Sequence, residues 1–286
     1  MSDAVVLGAS SPLGSYIVDA LVAAGYGVTG VSRRQSARAL PAGVAWVIAD
    51  LMSPEAVGIL PAPSILVSAL PIWSTAYVCK VVCGRGLSRL VAFSSTSVIT
   101  KKDAPSAADR ELSKRLLEGE EALASLPRDV AVTVLRPTMI YSDRGDRNVQ
   151  QIASQLRKIS VFPLLGAGRG LRQPVHAQDL ATAVVAALTA EKSIGRTYDL
   201  GGGEVLTFRE MVARTARANE LKVQFVRVPR VVALAGVRTL GRRPQFRGIT
   251  RGALERMSKD LVCDFSLAGK DLNYSPRRFE PPSYGI

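Results

Sequence analysis

A short apolar strand that runs straight into a glycine-bracketed turn and then into a helix constrains this chain more than any other feature: AVVLGASSPLGSYIVDALVAAG, from Ala4 to Gly25. Val5, Val6 and Leu7 read as the strand, Gly8 and Gly14 bracket the turn, and Tyr16, Ile17, Ala20 and Leu21 recur at helical spacing. A helix that begins there points free backbone N–H groups and the positive end of its dipole at the turn, so a pyrophosphate can be held without a lysine. Glycines in turns usually mark no more than a positive φ. The strand before and the helix after separate a phosphate-binding fingerprint from a chance match, and the expectation is a dinucleotide site at this turn.

The alternation continues. Val28 to Val31, Trp46 to Ala49, Ile65 to Ser68 and Leu90 to Phe93 read as strands two to five; Val78, Val81 and Val82 mark a helix between the last two, and Leu112, Leu116, Leu117 and Leu123 mark another before a strand from Val130 to Leu135. Short apolar strands joined by helices imply an α/β fold, a doubly wound parallel sheet whose ligand crevice lies at the carboxyl ends of the strands. At 286 residues and 47% hydrophobic content, the chain can bury the core of one large domain with a small lobe. From Asn148 the character changes to a helix through Ile152 and Leu156, a link GAGRG from Gly166 to Gly170, and a helix near Leu180 to Leu188. Thr207 reads as an N-cap with Glu210 as its capping-box partner. The expected division is residues 1–146 as the dinucleotide-binding domain, with 171–200 returning to it, and 147–170 plus 201–286 as a smaller, interleaved lobe. The last ten residues, RRFEPPSYGI, carry no periodicity and are expected to lie as a tail over the surface.

Several classes of chemistry are excluded by count. A single histidine, His176, leaves no metal site or triad built on several imidazoles, and the three cysteines, Cys79, Cys83 and Cys263, read as buried thiols rather than disulfides or zinc ligands. No metal is expected. The chain has no run of ~18 apolar residues and no basic-then-apolar leader, so a cytoplasmic protein is expected, with the inner face of the membrane as the alternative setting.

Beyond these readings, the motifs together resemble the short-chain dehydrogenase/reductase superfamily, in its extended or atypical branch of nucleotide-sugar epimerases and dehydratases. GASSPLG, Gly8 to Gly14, is similar to that branch's G-x-x-G-x-x-G with Ser11 in place of the middle glycine; Asp50 and Leu51 match its adenine-contacting pair, and FSSTSV from Phe93 its serine motif after strand five. RPTMIYS, Arg136 to Ser142, and RQPVHAQDLA, Arg172 to Ala181, are similar to R-P-x-x-I-Y-G and R-x-F-I-H-V-x-D-x-A. The resemblance implies a Rossmann-type sheet and a nicotinamide dinucleotide touching Gly8, Ser10, Ser11, Pro12, Leu13, Gly14, Ser32, Arg33, Arg34, Asp50, Leu51, Ala69, Leu70, Ser94, Pro137 and Ile140. It implies a substrate at Arg147, Asn148, Arg172 and His176, with Arg147 and Arg172 as a diphosphate clamp on a small anionic substrate such as a sugar diphosphate conjugate.

The family's chemistry rests on Tyr-x-x-x-Lys in the helix after strand five, and here it departs. With Lys114 at the lysine position the tyrosine position is Arg110, and no Tyr lies between Tyr77 and Tyr141. A guanidinium is no general acid at neutral pH. Ser95, Thr96 and Lys114 are therefore the expected catalytic group, with an ordered water as another proton source and Lys101 or Lys102 as other sources of positive charge, carrying NADP-dependent hydride transfer at a keto or hydroxyl carbon; the alternatives are a silent NADP(H)-binding sensor or assembly subunit, and oxyanion stabilisation by Arg110.

The net charge is +13, and residues 207–286 hold 16 Lys/Arg against 7 Asp/Glu, or +9 of it. Aromatics suited to base stacking do not accompany these arginines, so nucleic acid is not an expected partner. An ordinary lobe helix or a basic-flanked membrane contact at Val231 to Gly241, between Arg230 and Arg242–Arg243, are the two readings, and a monomer and a homodimer both stay open. Strand two ends in Val31-Ser32-Arg33-Arg34, where NAD-specific members carry an acidic residue, so NADP is expected ahead of NAD; the alternative is two solvated loop arginines. Replacing Arg33 and Arg34 together with Ala is expected to weaken NADPH binding by about tenfold or more beyond any loss for NADH, read from nicotinamide fluorescence. Equal losses for the two cofactors would remove the argument.

Overall fold

In the computed structural model, residues 3–36, 38–229 and 256–285 are described. The segment Val231 to Gly241, its flanking arginines Arg230, Arg242 and Arg243, and Pro244 lie outside them. Seven parallel strands form one sheet: β1 (Asp3–Leu7), β2 (Gly27–Ser32), β3 (Ala45–Ile48), β4 (Ile65–Ser68), β5 (Arg89–Phe93), β6 (Ala131–Pro137) and β11 (Arg196–Leu200), in the order β11-β6-β5-β4-β1-β2-β3. This is the doubly wound architecture expected from the alternation, with strand ends shifted by a residue or two.

Both faces of the sheet are covered, which is why its central strands are apolar throughout rather than alternating. Ala4 and Val6 face a core shared with helices α1 (Pro12–Ala23) and α7 (Ala177–Thr189), while Val5 and Leu7 face the opposite core, built with α2 (Pro54–Gly58), α3 (Ile72–Val82) and α5 (Ala107–Ala124). Arg89, at the start of β5, is buried among these layers. Its guanidinium donates to the carbonyls of Ala131 and Ala187 at 2.7 Å each, to Thr133 Oγ1 at 2.7 Å and to Ser193 Oγ at 2.8 Å, tying β5 and β6 to the end of α7.

The rest of the chain builds a second cluster around α6 (Val149–Lys158), α8 (Phe208–Ala218) and the parallel pair of β8 (Val161–Leu165) and β13 (Gln224–Val228), with Ile152, Phe162, Leu164 and Met211 at its centre. Two two-residue ladders frame it: β7 (Ile140–Tyr141) with β10 (Val175–His176), and β9 (Leu171–Arg172) with β12 (Leu206–Thr207). Thr207 caps α8 by accepting the Glu210 N–H at 3.1 Å, but the Glu210 carboxylate turns to Arg214 instead of reaching back, so half of the expected capping box forms. The C-terminal tail corrects the expectation of a surface strand of chain. Phe279 and Tyr284 are buried in this second core, aromatic anchors without any periodic pattern to announce them.

Arg89→Ala would remove the guanidinium donor from these four acceptors and from the Leu90 carbonyl. It is expected to cost roughly 2–4 kcal/mol of stability in urea unfolding, whereas a loss under 1 kcal/mol would mean that these bonds are replaced.

Candidate functional site

A cavity of about 950 Å³ opens at the carboxyl ends of β1, β2, β3 and β4. Gly8, Ser10, Ser11, Pro12 and Leu13 form its floor, Ser32, Arg33, Arg34, Asp50 and Leu51 one side, Ala69 and Leu70 another, and Ile140, Arg147 and Asn148 the wall opposite. Gly8 has φ +73°, and a Cβ on Gly14 would fall 2.2 Å from the Gly8 carbonyl oxygen, so the turn tolerates only glycine at both positions and leaves its backbone open to a close-fitting ligand. The shape and donors fit a dinucleotide. The turn is poorer in N–H groups than the sequence implied, however. Pro12 opens α1 with none, Ser11 Oγ accepts the Gly14 N–H at 3.0 Å, and the Gly8 and Ala9 N–H groups go to the Val31 carbonyl. Only Ser10 and Leu13 keep N–H groups without an acceptor among the described residues.

At the other end of the crevice the expected catalytic group does not assemble. Lys114 lies on the outer face of α5 with its side chain 69% exposed, beside Glu118 at 3.7 Å, and Arg110 donates to the carbonyls of Ala104 and Pro105. Asp109 and Ser113 are the inward pair at the start of the helix: Asp109 is held by Lys101 at 3.0 Å and Arg256 at 3.0 Å, and Ser113 donates to the Val98 carbonyl. Further along, Glu120 fixes the face that meets the strand ends, accepting from Ser94 and, bidentately, from Arg136. One and two turns before Glu120, that face presents Leu116 and Leu112, both packed into the adjoining core. Lys114 is thus corrected to a solvent-side residue, because helical phase turns it away from the strands. Ser94 is buried on Glu120, and Thr96 gives its hydroxyl to the Pro137 carbonyl at 3.3 Å. Ser94, Ser95, Thr96 and Pro137 are absent from the cavity wall; half-buried Ser95 accepts the Ser97 N–H at 3.1 Å.

The sequence profile of the NAD dependent epimerase/dehydratase family matches residues 4–65 and 72–201, which is most of the chain. The chain belongs to this family. It is 37% identical over 108 residues to the mitochondrial NADH dehydrogenase [ubiquinone] 1 alpha subcomplex subunit 9 of Arabidopsis thaliana, an alignment over 37% of this chain and 26% of that protein. The matched curated relatives are spanned over only 26% to 50% of their lengths. In fold it is similar to UDP-glucuronic acid 4-epimerase of Bacillus cereus, solved with UDP-glucuronic acid and NAD (16% identity, 97% of this chain and 95% of that one, TM-score 0.73). It is equally similar to UDP-glucose 4-epimerase of Thermotoga maritima, solved with UDP-glucose (17% identity, 96% and 93%, TM-score 0.73).

Within this family member, two residues expected at the substrate turn inward. Arg172 is 2% exposed and donates to the carbonyls of Leu171, Arg256 and Lys259 at 2.6–2.8 Å; burial, helped by Arg256, draws its pKa down to about 10. It corrects the expected diphosphate clamp, since its two terminal nitrogens already serve the backbone and the side chain is buried away from the cavity. His176 is the N-cap of α7, where Nδ1 accepts the Gln178 N–H, and its ring meets Tyr16 and Tyr141 edge to face at 5.5 and 5.0 Å. The tyrosine hydroxyl of Tyr16 in turn donates to Asp143. Residues that the motifs did not mark complete the cavity: Met52, Ser74, Ser142, Gly145, Asp146 and Gln150. Ser142 ends the RPTMIYS turn and Gly145, Asp146 and Gln150 follow it closely, which is the signal that could have found them. Among the described residues no helix is long and apolar enough to cross a membrane.

Burial pushes the His176 pKa below its ordinary value, with Arg277 adding to the shift. The unfolded chain then binds the proton more readily than the folded one, so this contribution is complete above about pH 6.5 and is lost as the pH falls through the lower folded value. His176 is the one histidine in the chain, so a variant at this position separates its share of the slope from that of the carboxyl groups. Denaturant melts between pH 5 and 7 should show stability rising with pH, and His176→Gln should flatten that rise; an unchanged slope in the variant would assign it elsewhere.

Proposed function

We propose that this chain holds NADP(H) at the Gly8 to Gly14 turn as a binding or assembly subunit and does not carry out the epimerase chemistry of its relatives. The observation that carries this reading is the face of α5 toward the strand ends: it offers Leu112 and Leu116, and beside them Asp109 and Ser113, where a proton-relaying tyrosine and lysine would have to stand. A bound nicotinamide supplies hydride chemistry, but the titratable side chains on the inward face of this helix are carboxylates already ion-paired, Asp109 to Lys101 and Arg256 and Glu120 to Arg136. The cavity supports retention of the dinucleotide. Arg33 and Arg34 give its adenosine side two guanidiniums whose side chains form no bond within the described residues, a fit for a 2′-phosphate. The partial match to a subunit of NADH dehydrogenase agrees with an assembly role.

A second reading keeps the enzyme: NADP-dependent reduction of a keto carbon on a nucleotide- or lipid-diphosphate-linked sugar, with the Ser95 hydroxyl as donor. It is favoured by one observation, that Ser95 Oγ accepts a hydrogen bond but its proton is not committed to another group. The fold likeness to proteins solved with UDP-sugars gives the substrate class.

Thermal melting with and without NADPH, followed by absorbance at the nicotinamide band over a panel of 4-keto nucleotide sugars, separates the two. The expected result is ligand-dependent stabilisation with no cofactor consumption above the rate of a Ser95→Ala variant. Consumption that Ser95→Ala abolishes would establish the second reading.

A further inference from the structure

The segment Ile140 to Gln150 is fastened to the dinucleotide turn from the side of the second lobe. Asp143 accepts from Tyr16, Arg144 reaches Asp19 at 2.7 Å and Ser15 Oγ at 3.2 Å, and the Arg144 guanidinium lies 3.6 Å over the Tyr16 ring, so four contacts tie this segment to the first turns of α1. Its far end is fixed by Asp146. One Asp146 oxygen accepts the N–H groups of Asn148, Val149 and Gln150 at 2.6–3.1 Å, and the other accepts the Tyr284 hydroxyl at 2.5 Å from the C-terminal tail. The negative charge of Asp146 is thereby spent on the start of α6 rather than on the cavity it borders.

Directly after the Asp146 anchor stands Arg147, exposed, in the cavity wall, and without a hydrogen bond or ion pair to a described residue. The adjacent Arg144 differs in this respect, since it shares the Asp19 carboxylate with Arg38. The opposing floor is the turn in which Pro12 and the Ser11 cap leave only the Ser10 and Leu13 N–H groups for an anion. A pyrophosphate on that floor carries two negative charges and more acceptor oxygens than two N–H groups can meet. A guanidinium held across from it supplies the missing donors.

We infer that Arg147 is a dinucleotide clamp: it closes over the pyrophosphate from the second lobe and compensates for the N–H groups lost to Pro12 and Ser11. This rests on the dinucleotide reading above and gives Arg147 to the cofactor instead of the substrate diphosphate. Because the pyrophosphate is common to NADH and NADPH, the residue acts alike on both, unlike Arg33 and Arg34.

The test is equilibrium binding of NADPH, NADH and UDP-glucose to the wild-type chain, Arg147→Ala and Arg147→Lys, with unliganded melting temperature as the folding control. Arg147→Ala is expected to weaken NADPH and NADH by a similar factor, about tenfold, with Arg147→Lys recovering part of the loss and the melting temperature unchanged. Loss confined to NADPH, loss confined to UDP-glucose, or unchanged dinucleotide affinity would each overturn the clamp. A wild-type chain that binds neither dinucleotide would instead sink the underlying functional reading.

Discussion

The contact that everything else depends on is the closure of the first turn of α1 onto the end of β1. A Cβ on Gly14 would meet the Gly8 carbonyl at 2.2 Å, so the helix can approach the strand only where that side chain is missing. Once seated, α1 packs Ile17 and Leu21 against the sheet and α7, and holds out Ser15, Tyr16 and Asp19 along the side that meets Asp143 and Arg144. The cavity is therefore defined twice by one helix. Its N-terminus makes the floor, and its polar flank positions the wall.

Against that well-formed half, the other half of the crevice has been rebuilt as packing. Glu120 and Arg136 form a buried, bidentate pair that also takes the Ser94 hydroxyl. Such a pair costs much to desolvate and is kept where it orients elements rather than where it adds net stability. Here it locks the phase of α5 over the strand ends and thereby decides that leucines, not Arg110 or Lys114, face inward. The family's fold and its glycine turn are kept, while the positions of Arg110 and Lys114 on this helix face away from the strand ends.

Much of the fold was legible because its signals are local. Apolar runs such as Ile65 to Ser68 mark strands wherever they occur, and Thr207 could be read as a cap from its own side chain. The phase of α5 was not legible in the same way. Aligning Lys114 to a lysine motif used spacing alone, and spacing within a helix leaves its rotation undetermined until a distant partner, here Arg136, fixes it. Arg172 and the tail failed for a related reason: an arginine that binds backbone carbonyls and aromatics that anchor an aperiodic segment depend on contacts far apart in sequence, as between Arg172 and Lys259 or Tyr284 and Asp146. The Arg147 wall could be located from the motif preceding it, but whether it faced cofactor or substrate depended on which cavity the folded segment bordered.

The central claim is that dinucleotide binding and proton relay have been separated in this chain. The most direct measurement follows the deuterium of NADPH labelled at C4 during prolonged incubation with the protein and 4-keto nucleotide sugars, with cofactor occupancy monitored in the same sample. The account predicts an occupied site with the label still on the cofactor. Label appearing on a sugar carbon at a rate above that of the free cofactor would contradict it.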